Sequence, residues 1–97
     1  MWAPGETPIY ATTDGPVRVL VVATTDRGGY EAFTEDGTLN YFSESDLLTV
    51  EQYIERCDRG RDDLTGREYR ERVGRARAPF ERPACWDIAL STYLASL

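Results

Sequence analysis

Histidine is absent from this 97-residue chain, and so is lysine: all 11 basic residues are arginine. The two absences exclude imidazole acid–base catalysis, Schiff-base lysines, P-loops and nearly all zinc sites. Only two cysteines occur, Cys57 and Cys85, 28 positions apart. They cannot build a four-ligand metal site, and no imidazole is available to complete one, so neither a metal nor a cofactor is expected. In a chain without a targeting segment they read as reduced core thiols rather than as a disulfide. Long apolar runs are lacking too: the longest, Val19 to Ala23, falls far short of the roughly 20 residues of a membrane-spanning helix. The opening Met1-Trp-Ala-Pro-Gly-Glu6 has neither the basic region nor the apolar stretch of a secretory signal, so a cytoplasmic protein without membrane contact is expected. Both lysine codons are A-rich. Arginine-only usage therefore points to a GC-rich coding sequence, that of a high-GC bacterium or a phage (in which case the compartment is the host cytoplasm).

What is present fits one folded domain spanning 1–97, with 41% hydrophobic and 29% charged residues. The net charge is −6, which disfavours nucleic acid and anionic membranes as partners of the whole molecule. The charge is unevenly placed. Residues 1–55 carry ten acids against Arg18 and Arg27, a net of −8, whereas residues 56–97 carry nine arginines against seven acids, a net of +2. Either two surfaces of different character result, or the halves attract each other within one fold.

Residues 8–50 read as β-rich. Pro8 to Thr12 is a short strand ending at the Asp14-Gly15-Pro16 turn signal. Val17 to Thr25 is the strongest, with Val17, Val19, Val21 and Ala23 on one face and Leu20 and Val22 on the other, so it is expected to be covered on both sides. Tyr30–Glu35 and Thr38–Ser43 flank Asp36-Gly37, a hairpin signal. A two-residue turn sets Phe33 opposite Asn40 and Ala32 opposite Tyr41. Tyr30, Ala32, Leu39 and Tyr41 then form the core face, and Phe33 and Phe42 lie on the other beside Glu31 and Glu35.

Residues 49–97 read as three helices. Thr49-Val-Glu-Gln52 and Thr65-Gly-Arg-Glu68 are capping boxes, with Leu48/Tyr53 and Leu64/Tyr69 as hydrophobic staples. Val50, Tyr53, Ile54 and Cys57 make one helical stripe, and Gly60 suits a positive-φ stop. The second helix is mostly charged, with Glu68–Arg72 and Glu71–Arg75 as i,i+4 pairs. Pro83 opens a last helix whose stripe is Trp86, Ala89, Leu90, Tyr93, Leu94 and Leu97. The fold class is thus α+β: an antiparallel four- to five-stranded sheet or a small barrel, followed by three short helices packed on it.

The β-run Val17–Ala23, Gly29-Tyr30-Glu31-Ala32, the Asp36-Gly37 hairpin, Tyr41-Phe42 and a closing Asp46-Leu47-Leu48 together resemble a small SH3-like barrel of the Tudor or KOW kind over roughly residues 8–50. The resemblance implies a binding module for peptides, nucleic acid or methylated side chains, not an enzyme.

No catalytic residue is expected. Glu44/Asp46 and Asp62/Asp63 read as turn acids that favour helix N-termini. The candidate partner-binding residues are Glu31, Phe33, Glu35, Phe42, Trp86, Leu90, Tyr93 and Leu97, and the aromatic and aliphatic ones among them are either core or an exposed patch. The partner they suit is another protein with a basic surface, or a second copy through the C-terminal helix. The resulting reading is a non-enzymatic interaction module, a small acidic regulator, inhibitor or accessory protein. The alternatives are nucleic-acid contact through the Arg-rich segment 56–82, where Arg67, Arg70 and Arg77 share a helix side, and an acidic nucleic-acid mimic.

Overall fold

The computed structural model describes residues 1–97. Six strands and three α-helices follow in the order β1 (Ile9–Thr12), β2 (Gly15–Arg18), β3 (Leu20–Thr24), β4 (Tyr30–Phe33), β5 (Leu39–Phe42), β6 (Leu47–Leu48), α1 (Val50–Arg59), α2 (Gly66–Arg77) and α3 (Ala84–Ala95). The α+β class holds. The strands, however, form two three-stranded antiparallel sheets, β2-β1-β6 and β3-β4-β5, in place of a single sheet of four or five strands. The long run Val17–Thr25 is broken at Val19, so its first part serves one sheet and its second part the other. A bulge between Val21 and Ala23 adds a further bend.

Alternation along these strands creates three layers of apolar contact. Val19 and Val21 point inward, where they meet Tyr30, Ala32 and Phe42 of the second sheet and Leu47 of the first. Leu20 and Val22 point the other way and pack with Phe33 under α3. The strand is therefore covered on both faces, as its sequence requires. On the outside of the first sheet, Ile9 and Leu48 meet Tyr53 and Cys57 of α1 and Val73 and Ala76 of α2. Adjacent Leu47 and Leu48 thus serve opposite cores. That solves a conflict in the sequence: the closing strand is only two residues long, so Thr49 is free to cap α1.

Both capping boxes form. The Thr49 hydroxyl accepts from the Gln52 amide and the Gln52 side chain accepts from the Thr49 amide; Thr65 and Glu68 repeat the arrangement. Gly60 ends α1 with φ −95°, not in the left-handed region, and a short 3-10 turn (Arg61–Asp63) follows. The two i,i+4 ion pairs expected on α2 are replaced by a different use of the arginines. Arg72 donates to Thr13 O, and Arg75 donates to Asp14 O and Pro16 O. Guanidinium groups meet carbonyls here because the β1–β2 turn presents a cluster of them, which the planar fork can bridge. Arg18 ties a third corner, donating to Thr7 O and to Ala76 O near the C-terminal end of α2, with Phe80 beneath it.

The hairpin corrects the expected register. Gly37 alone takes a positive φ, +81°, and the turn spans three residues, closed by Thr34 N–H to Thr38 O and Gly37 N–H to Thr34 O. Phe33 then faces Leu39, Ala32 faces Asn40 and Tyr30 faces Phe42. A one-residue slip turns every β5 side chain over. Leu39 and Tyr41, expected in the core, are 38% and 73% exposed, and Phe42 is buried beside Tyr30 and Ala32.

Candidate interaction surface

The outer face of the second sheet carries Glu31 and Phe33 on β4 and Leu39 and Tyr41 on β5. α3 lies across this face. Trp86 is fully buried against Leu20 and Phe33, and its indole N–H donates to Thr34 O at 2.7 Å. Cys85 Sγ lies 3.2 Å from Glu35 O. Farther along, the Tyr93 ring meets Phe33 edge-on at 6.2 Å, and its hydroxyl donates to Glu31 at 3.3 Å. Burial and the Glu31 carboxylate together raise the Tyr93 phenol above its usual pKa. The helix therefore runs over β3 and β4, with its first turns at the hairpin tip and Tyr93 near the far end of β4.

Of the expected partner-binding residues, Phe33, Phe42 and Trp86 are core and unavailable to a partner. Their alternatives are thereby decided: the two phenylalanines lie on opposite sides of one sheet, in separate clusters. Leu90 and Tyr93 are half-buried, Glu31 is half-buried at the edge of the helix, Glu35 is exposed at the hairpin tip, and Leu97 is 82% exposed.

Sequence reasoning missed the rest of the exposed apolar surface. Tyr41 and Leu39 come from the slipped register, and Ile88 on α3 is 71% exposed, as is Leu94 of the expected stripe at 58%. One signal for them was legible: α3 is apolar nearly all round, and Asp87 is its last charge. A helix of that kind needs more cover than one stripe provides. Next to Tyr41 an open cleft of about 770 Å³ is lined by the Thr24–Gly29 turn, Glu31, Tyr41, Phe42 and Ser43. Its charged groups are Asp26, Arg27 and Glu31.

Arg67, Arg70 and Arg77 are exposed on α2 and make no ion pair or hydrogen bond. Glu44 and Asp46 sit in a 3-10 turn where Asp46 accepts from the Ser43 amide, and Asp62 and Asp63 lie exposed in the turn after α1. No three carboxylates or thiols converge on a point that could hold a metal ion. Cys57 and Cys85 are both free and belong to different clusters, under α1–α2 and under α3. No helix is long and apolar enough to cross a membrane. No protein-family model, curated protein or solved structure matches the chain.

Proposed function

We propose that the chain is a non-enzymatic protein-interaction module, a small acidic regulator, inhibitor or accessory protein built on an SH3-like barrel. The barrel reading is supported by the run through Val19 that passes from β2 of one sheet directly into β3 of the other, and by the inner cluster, which draws on both sheets. The interaction reading rests on one observation. α3 buries a single residue completely, Trp86, while Ile88, Leu94 and the following Leu97 remain in water, and Tyr93 and Cys85 of the same helix touch the acidic residues Glu31 and Glu35. An exposed apolar helix docked next to acidic residues suits a protein whose own surface joins an apolar anchor to basic residues. The acids accelerate encounter and the apolar residues set the lifetime of the complex.

Affinity capture with mass spectrometry, using the wild type beside Leu94→Asp and Leu97→Asp, tests this. The expected result is a protein retained by the wild type and lost by both variants, with slower capture as salt rises. An identical set of captured proteins on all three baits would reject the surface.

The exposed, unpaired guanidinium groups of Arg67, Arg70 and Arg77 support a second reading, phosphate contact with nucleic acid. A mobility shift that survives replacement of all three by glutamine removes it.

A further inference from the structure

A β-sheet edge offers unpaired N–H and C=O groups, and folded proteins blunt such edges with charge, proline, bulges or cover. Three of the four sheet edges in this molecule are blunted. β2 contains Pro16 and Arg18 and has the Arg75 guanidinium on the carbonyl of Pro16. β6 is two residues long. The free side of β3 is taken by the preceding segment, with Val21 N–H donating to Glu6 O and Gly5 N–H donating to Val21 O. The fourth edge is β5, and it has none of these devices: Thr38-Leu-Asn-Tyr-Phe42 contains no charge, proline or glycine.

The ladder to β4 says which groups of β5 are free. Thr34 and Thr38 are a hydrogen-bonded pair, and antiparallel pairs alternate. Ala32–Asn40 and Tyr30–Phe42 are therefore hydrogen-bonded as well, whereas Leu39 and Tyr41 direct their N–H and C=O groups away from the sheet. The side chains of the same two residues are exposed on the α3 side.

We infer that β5 is a homodimer seam, pairing antiparallel with β5 of a second copy about a twofold axis at Asn40. This register is self-complementary. Leu39 of each chain faces Tyr41 of the other, so the free groups of both residues are satisfied by the same groups of the second copy. It also joins Leu39 to the partner's tyrosine ring on the α3 side, making one continuous six-stranded sheet. Charge selects a second copy over a basic partner at this edge. A second copy of net charge −6 is repelled least across a surface free of carboxylates. Thr38–Phe42 is such a surface. The inference rests on β5 alone and stands whether or not another protein occupies α3.

Two measurements on the full chain test it. Light scattering across a micromolar-to-millimolar series should give a mass rising to twice 11.0 kDa. Leu39→Lys and Tyr41→Lys, which put guarding charges on exposed positions, should each return it to 11.0 kDa with unchanged circular dichroism. Amide hydrogen exchange on the wild type needs no variant: protection at Leu39 and Tyr41 should rise in step with the dimer fraction. A chain that stays monomeric throughout overturns the inference. So does a dimer in which these two amides exchange freely, or one that survives both lysine variants.

Discussion

Trp86 is the one fully buried anchor of α3 on the sheet, with Cys85, Ala89, Leu90 and Tyr93 half-buried beside it. Its ring packs on Leu20, Phe33 and Phe80, and its N–H adds a second hydrogen bond to the Thr34 carbonyl at the start of the hairpin turn. Trp86→Ala is expected to cost about 3–5 kcal/mol in urea unfolding and to expose α3 to limited proteolysis. Trp86→Phe, which keeps most of the area and leaves the Thr34 carbonyl its hydrogen bond from the Gly37 N–H, should cost less. Tyr53 is the matching anchor on the other side of the molecule. Burial pushes its phenol up to about 12, and the Cys57 thiol beside it adds to the shift. A folded pKa above the ordinary value of 10.0 means that the stabilisation is complete below that pH and is lost as pH rises from there through about 12. Circular dichroism should accordingly show alkaline unfolding in that window, and Tyr53→Phe should move the midpoint upward.

At the scale of elements, the docking of α2 depends on donors and carbonyls more than on ion pairs. Arg72→Gln with Arg75→Gln is expected to cost roughly 1–2 kcal/mol and to speed amide exchange in both α2 and the β1–β2 turn. Glu71→Gln should change the unfolding midpoint by less than the error, since no ion pair of that carboxylate is formed. The capping boxes were legible from sequence because they are local: four residues contain every donor and acceptor involved. The i,i+4 pairs were read by the same logic and failed, because a guanidinium can reach a carbonyl almost 60 residues away and sequence spacing says nothing about it. The hairpin failed for a subtler reason. Asp-Gly fits both a two-residue turn and a three-residue turn that ends at glycine, and the hydrogen bonds of Thr34 and Thr38 to the Asp36 side chain favour the latter. One residue of loop length moved Tyr41 from the core to the surface and Phe42 the opposite way.

Over the whole molecule, the division into an acidic sheet half and a mildly basic helical half was legible, but its meaning was not. The halves join chiefly through apolar clusters and through arginines on backbone carbonyls, so the charge difference does not act as an internal clamp. The radius of gyration, 14.3 Å, exceeds the roughly 12.5 Å of a compact chain of this length. The extents of 46 × 29 × 18 Å describe a slab. Helices cover both outer faces only in part, which leaves β5 and the far side of α3 uncovered. Sequence alone could not locate that shortfall, because an apolar side chain has the same spelling in a core and at an interface.

Leu47-Leu48 has a role that reaches beyond packing. This dipeptide closes the chain onto Ile9 and Tyr10, places one side chain in each of two cores, and runs directly into the residue that nucleates α1. It acts as a clasp, and it is also the contact with the greatest sequence separation between strands, so loop-closure entropy makes it late to form. The meander β3-β4-β5 and the pair α1–α2 can each assemble from neighbours in sequence, and the clasp joins the Arg18, Arg72 and Arg75 hydrogen bonds in tying them together. Opening those two residues loosens both cores at once, so a protein only 18 Å thick is expected to melt as one cooperative unit rather than peel layer by layer.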